Sequence, residues 1–262
     1  DALIKPKTSK KEKKVITIPV YLSAGQEYIS ASLACIIQSS KKKPLIFPQH
    51  RCHSIYLSFG GNIEGLIDEL LGRDSGCANG MGGSASIHSP EINLYGHDGL
   101  MGSQVPISVG ACFTSKKPTI VFMGDASAEE DFVLGAMGWA STKNLPIVFI
   151  VEDNNLSILT EKKVRRNWEM DDVARAFKIK SCNIEDCPTE IYDNSKDLFN
   201  GPQLLNINTN RLYWHAGAGR DSPDTFDRFE EEKKILGDEA IDISEEVKNY
   251  VTLKWKQQLE KQ

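Results

Sequence analysis

Two stretches decide the fold: Thr119-Ile120-Val121-Phe122-Met123-Gly124-Asp125, and Ile147-Val148-Phe149-Ile150-Val151-Glu152-Asp153-Asn154. Each is an unbroken apolar run that stops at acidic and amide residues. Strands buried on both faces read this way, and they belong to parallel sheets covered by helices. Pro118 to Met123 and Ile147 to Val151 are therefore predicted strands, and Asp131 to Lys143 between them is a predicted helix. Strand, helix and strand within about 35 residues make a βαβ crossover.

The same rhythm extends outward. Val105 to Phe113 reads as a small-residue helix, Pro44 to Phe47 as a short buried strand, and Glu27 to Gln38 as a helix. Asn62 to Leu71 is amphipathic, with Ile63, Leu66, Ile67, Leu70 and Leu71 on one face. Downstream come a helix from Trp168 to Phe177, a strand from Gln203 to Thr209 and a polar loop over 210–224. Two helices follow, near Phe226–Leu236 and Ile241–Gln262. Residues 72–104 break the pattern: they are rich in glycine and show neither period. A loop of that length in a compact chain usually serves function, and Tyr95-Gly96-His97 at its far end suits an ordered loop. The expected architecture is one doubly wound, mostly parallel α/β domain over 15–262, preceded by a charged, disordered leader over 1–14.

Composition narrows the classes. The chain has 262 residues, a net charge of −5 and a 40% hydrophobic fraction, those of a globular protein and not of a basic nucleic-acid binder. No apolar run reaches the roughly 20 residues that cross a bilayer. Six cysteines form no C-x-x-C pair, which suits reduced thiols and a cytoplasmic setting. The chain opens on Asp1 and not Met, as a piece of a longer polypeptide would.

In a parallel sheet both strand ends lie on one edge, where open α/β folds bind ligands. Asp125 and Asn154 then converge. A carboxylate and an amide oxygen, with a backbone carbonyl beyond, form a hard-oxygen set suited to Mg²⁺ that shares its coordination with a phosphate. No G-x-G-x-x-G or Walker run opens a helix, which disfavours an ordinary nucleotide binder.

Gly-Asp, a helix, and a strand ending in Asn resemble the thiamine-diphosphate motif. Further segments, in order, resemble the α subunit of the decarboxylating component of 2-oxo acid dehydrogenase complexes. They are Gly25-Gln26-Glu27, His50-Arg51-Cys52-His53, Glu69 to Arg73 before Gly80-Met81-Gly82-Gly83-Ser84, Gly99 to Pro106, Asn144-Leu145-Pro146, and Thr209-Asn210-Arg211 with His215. The likeness runs from about Gly25 to about Asp224.

That resemblance implies a thiamine-diphosphate-binding fold and specific roles. Asp125, Asn154 and the Leu156 carbonyl would hold Mg²⁺; Gly124, Asp125 and Ala126 form the diphosphate turn. Arg51 and Arg211 would bind the diphosphate, with forked donors answering a charge that one Mg²⁺ does not neutralise. Gly99 would offer a carbonyl to the aminopyrimidine, and Met101 would wedge the cofactor into its bent form. His215 and His88 would be the acid/base or substrate-orienting groups. The carboxylate that contacts the pyrimidine has no counterpart here and comes from a β subunit in the family, which implies an α₂β₂ assembly acting on a 2-oxo acid. A lipoyl-bearing acyltransferase is then the implied acyl acceptor.

The sequence departs from the family around the phosphate site. Ala126 replaces the motif's second glycine, Asp153 an asparagine, His50 a tyrosine and Gly135 a helix glutamate, while Ala128-Glu129-Glu130-Asp131 is strongly acidic. Extra carboxylates beside a diphosphate keep two alternatives open: a stand-alone biosynthetic thiamine-dependent lyase or transferase subunit, or a catalytically degenerate regulatory subunit.

Overall fold

A computed structural model describes residues 15–261. The expected leader, 1–14, lies outside the described residues. The elements in chain order are α1 (Glu27–Ser39), β1 (Leu45–Phe47), α2 (His53–Ser58), α3 (Ile63–Leu70), α4 (Gln104–Ser115), β2 (Thr119–Gly124), α5 (Asp131–Thr142) and β3 (Ile147–Asp153). A small hairpin, β4 (Leu156–Ser157) and β5 (Thr160–Glu161), precedes α6 (Lys162–Arg165) and α7 (Met170–Ala176). Then come β6 (Lys180–Glu185), α8 (Pro188–Asn194), β7 (Gln203–Asn208), α9 (Arg228–Leu236) and α10 (Asp238–Glu260).

Five strands form one parallel sheet in the order β1-β2-β3-β7-β6. All seven residues of β3 are buried, as its unbroken apolar run requires. Alternate residues feed two cores. Ile120, Phe122, Val148 and Ile150 face one side with α1 to α3 and α8; Val121, Met123, Phe149 and Val151 face the other with α4, α5 and α7. Helices on both faces make the sheet doubly wound, as the sequence implies.

The small hairpin β4–β5 and α6, together with β6, α8 and α2, escape the sequence pattern. β6 is an edge strand on which only Ile184 is buried, so Lys180–Glu185 carries almost no apolar signal. α8 and α2 are too short to show a period. Conversely, α3 starts where expected, because Asn62 caps it by accepting from the Gly65 N–H at 2.8 Å.

The glycine-rich loop is ordered by a single carboxylate. Glu69, fully buried, accepts four backbone N–H groups: Ala78 and Gly80 at 2.7 and 2.9 Å on Oε2, Gly82 and Gly83 at 2.7 and 2.9 Å on Oε1. The chain must wrap tightly to bring four amides to one group. A Cβ at Gly76 would lie 2.6 Å from the Glu69 Cα, so only glycine fits there. Beyond this loop, α10 lies against α3 and α9. Among the described residues no helix is long and apolar enough to cross a membrane.

Candidate active site

The carboxyl ends of β2 and β3 lie side by side, with Gly124 opposite Glu152 in register. Gly124 is pinned by Ser127, whose hydroxyl accepts from the Gly124 N–H at 3.0 Å and donates to its carbonyl at 2.9 Å. Ala126 takes φ −74°, a torsion any L-residue adopts, so the lost glycine costs the turn nothing.

Asp125 is buried, and burial together with Asp153 pushes its carboxyl up to about 6. Its carboxylate pairs with Arg165, and its backbone carbonyl accepts from Arg166 at 3.2 Å. Glu129 lies 3.3 Å from both guanidinium groups, and Lys162 donates to Asp153 at 2.8 Å. The acidic run therefore does not stand bare beside the site. Glu129, from the acidic run, meets Arg165 and Arg166 from the basic segment Lys162–Arg166.

Asn154 donates to Gln26 Oε1 at 3.2 Å and accepts from the Leu156 N–H at 3.1 Å. The turn after β3 then reaches Arg211, which donates to the Ile158 carbonyl at 3.0 Å and pairs with Asp221 at 2.5 Å. Arg51 donates to the Leu22 carbonyl at 2.8 Å and to the His215 carbonyl at 3.3 Å. Both arginines are buried, at 3% and 4% exposure, and burial and Arg211 lower Arg51 to about 10. Two buried guanidinium groups in one place make an anion site.

Imidazoles crowd beside them. The His50 ring lies 5.2 Å from His215 and 6.2 Å from His97, and Tyr21 packs edge-on against His50 and His215 at 5.0 and 5.4 Å. Burial and Arg51 lower His50 to about 3, and the same two causes lower His215. Both are neutral at pH 7 and available as donors or acceptors. His97 is buried and accepts from the Gly99 N–H at 3.0 Å, which holds Gly99 at φ 98°, the left-handed region. Met101 is 39% exposed in the turn before α4, whose Gln104 donates to the Phe122 carbonyl at 2.9 Å.

The family model of the dehydrogenase E1 component matches residues 4–241. The chain belongs to that family. Among relatives, this E1 chain is 29% identical over 215 residues to the pyruvate dehydrogenase E1 component subunit alpha of Rickettsia prowazekii, covering 75% of this chain and 63% of that one. It is 27% identical over 209 residues to the mitochondrial counterpart of Solanum tuberosum, covering 75% of this chain and 52% of that one. The E1 chain thus spans about half the length of the curated relatives it matches. Transketolase from Campylobacter jejuni shares the fold at a TM-score of 0.53 and 16% identity, over 70% of this chain and 36% of that one.

The structure gathers Arg51, Arg211 and His215 in one place and sets Asp125 and Asn154 on one sheet edge. It does not bring His88 to them. His88 is exposed, packs edge-on against Tyr95 at 5.8 Å and accepts from the Gly96 N–H at 3.2 Å. Its ring is thereby kept on the outer side of the loop.

Several further residues gather here to which the sequence assigns no role. His97 has no motif signal, and only the folding of its loop puts it against His50. Glu152, at the end of β3, is buried and bonded to Gln49; burial pushes it up to about 7. Gln26 Nε2 and His50 Nε2 are buried without a hydrogen-bond partner among the described residues, as donors awaiting a ligand would be. Lys162, Arg165 and Arg166 carry no motif signal, and only the fold brings them to Asp125, Glu129 and Asp153.

The donor set of Asp125, Asn154 and the Leu156 carbonyl suits a hard divalent cation in kind. As arranged, Arg165 holds one Asp125 oxygen and the Leu156 N–H holds the Asn154 oxygen. The set fits such a cation once those two donors yield.

Proposed function

We propose that this chain is the thiamine-diphosphate-binding α subunit of a 2-oxo acid dehydrogenase or decarboxylase. The observation that carries the reading is the buried pair Arg51 and Arg211 beside the β2 and β3 ends. Asp221 answers Arg211, but among the described residues Arg51 bonds only backbone carbonyls, a charge taken out of water at a cost that an anionic ligand offsets, and a diphosphate has the forked acceptors that both guanidinium groups match.

On this reading Arg51 and Arg211 bind the diphosphate, and Asp125, Asn154 and the Leu156 carbonyl hold Mg²⁺ against it. Gly99 and Met101 line the thiazolium and aminopyrimidine side. Bound thiamine diphosphate supplies the electron sink that lets a 2-oxo acid lose CO₂. His215 and its neighbour His50, both neutral at pH 7, orient the substrate and hold or move a proton near it. Tyr21 and the imidazole cluster exclude water from that end. A β subunit supplies the carboxylate this chain lacks, in an α₂β₂ assembly, and a lipoyl-bearing acyltransferase accepts the acyl group. The cytoplasm is the proposed setting.

Calorimetric titration of thiamine diphosphate with Mg²⁺ into the full chain, alone and with its β subunit, tests the reading. Arg51→Ala and Arg211→Ala should each weaken binding by roughly 10- to 100-fold, as lost charge-assisted hydrogen bonds do. Absence of binding to the wild-type protein in both arms would sink the proposal.

A further inference from the structure

The basic segment after β5 sits on the acidic edge of the sheet in a way the proposed cofactor site must reckon with. Arg165 bridges Asp125 and Glu129, and its side chain is only 13% exposed. Arg166 is more enclosed, at 1%, and stacks over the Trp168 ring at 4.7 Å. Three enclosed carboxylates, Asp125, Glu129 and Asp153, thus face three cations, Lys162, Arg165 and Arg166, while the half-exposed Glu169 also holds Lys162 at 3.1 Å. The enclosed charges balance without a metal. A divalent cation added to that set leaves two positive charges over in a buried site, which low dielectric makes costly.

A second observation is independent of the ion pairs. Nε and Nη1 of Arg165, and Nε and Nη2 of Arg166, are buried without a hydrogen-bond partner among the described residues. Arg166 Nη2 has only Asp153 in range, at 4.0 Å, too long for a hydrogen bond. Buried guanidinium N–H groups with no acceptor are unusual. They are the donors that a phosphate oxygen would satisfy.

Resting on the reading that Asp125 is a metal ligand, we propose that Arg165 and a divalent cation compete for the Asp125 carboxylate. The cation loads only as the guanidinium leaves, and the unpartnered N–H groups of Arg165 and Arg166 turn to the diphosphate. Metal and diphosphate then enter together: the anion draws away the arginine that otherwise blocks the metal. Arg165 is a positioning residue in this account, acting through Asp125.

Titration of Mn²⁺ into the full chain, followed by electron paramagnetic resonance of the free ion, reads the competition without turnover. Without diphosphate, Arg165→Gln should bind Mn²⁺ roughly tenfold or more tighter than wild type, the equivalent of about 1.4 kcal/mol. Arg165→Lys, which keeps the charge, should stay near wild type, and Arg165→Gln with Asp125→Asn should bind no better than wild type. If thermal melts show Arg165→Gln unfolded, Arg165→Met, which keeps a long apolar stem without the charge, takes its place and should tighten Mn²⁺ to a similar extent.

Equal or weaker Mn²⁺ binding in a folded Arg165→Gln overturns the competition. If Mn²⁺ then still binds wild type when thiamine diphosphate is added, the reading of the cofactor site survives. If Mn²⁺ binds neither protein with or without thiamine diphosphate, the cofactor reading fails and the competition falls with it.

Discussion

Glu69 and Asp125 are both buried carboxylates, and the molecule satisfies them in opposite ways. Glu69 accepts four backbone N–H groups from the glycine-rich loop. Asp125 faces a guanidinium on a side chain that can swing. Backbone amides cannot leave without unravelling the loop, so Glu69 is committed to structure. A side-chain cation can be exchanged for another cation, so Asp125 stays available for chemistry. Glu69 makes a scaffold and Asp125 makes a site, although both are acids removed from water.

The contrast can be broken most directly at Glu69. Glu69→Ala leaves four enclosed amides without an acceptor and should cost about 4–5 kcal/mol, read as a lower denaturation midpoint at unchanged slope. A loss under about 1 kcal/mol would mean the loop does not depend on the carboxylate. Next in size is Gly76→Ala, whose new Cβ would meet the Glu69 backbone at 2.6 and 2.7 Å. It should cost about 2–3 kcal/mol by overpacking, seen as a lower melting temperature.

The pH dependence separates the two regions further. His53 bonds Ser84, beside the glycine-rich loop, at 2.9 Å, and burial lowers it from 6.5 to about 4. A lowered histidine contributes stability above its unfolded value and loses it as pH falls through the folded one. Wild type should therefore lose about 1–2 kcal/mol from this group between pH 6.5 and about 4, a figure reduced because the residue is only half-buried. His53→Gln should flatten the stability curve over that interval. Asp125 has the opposite sign: raised from 3.8 to about 6, it contributes stability below 3.8 that is lost as pH rises through about 6. The difference between wild type and His53→Gln cancels the Asp125 contribution, and an unchanged slope would place His53 outside the acid response.

The smallest effect belongs within the acidic run. Glu129 is held by two arginines, whereas Glu130, at the start of α5, takes no side-chain partner among the described residues. Glu130→Gln should change stability by less than about 0.5 kcal/mol in a denaturant titration. A larger loss would show that the run acts as one charged block.

Much of this was legible in the chain. β2 and β3 announce themselves because strands buried on both faces must be apolar at every position, and their polar ends must emerge at the ligand edge. Asp125, Asn154, Arg51, Arg211 and His215 stand in ordered motif segments, so their candidacy needs no coordinates. β6 stayed hidden because an edge strand exposes most of its side chains and loses its apolar signature. His97 stayed hidden because a lone histidine in a glycine loop carries no period.

The sequence by itself determined the doubly wound sheet, which edge carries the polar strand ends, and the residue types offered there as candidates for an anionic ligand. Those follow from local periodicity and from which side chains end each strand. Only the tertiary structure decided that Glu69 ties the glycine-rich loop together, that Arg165 rests on Asp125 from forty residues away, and that His50, His97 and His215 share one cluster. Such pairings depend on how distant segments are brought together, and burial then makes each charge seek whichever partner the fold delivers.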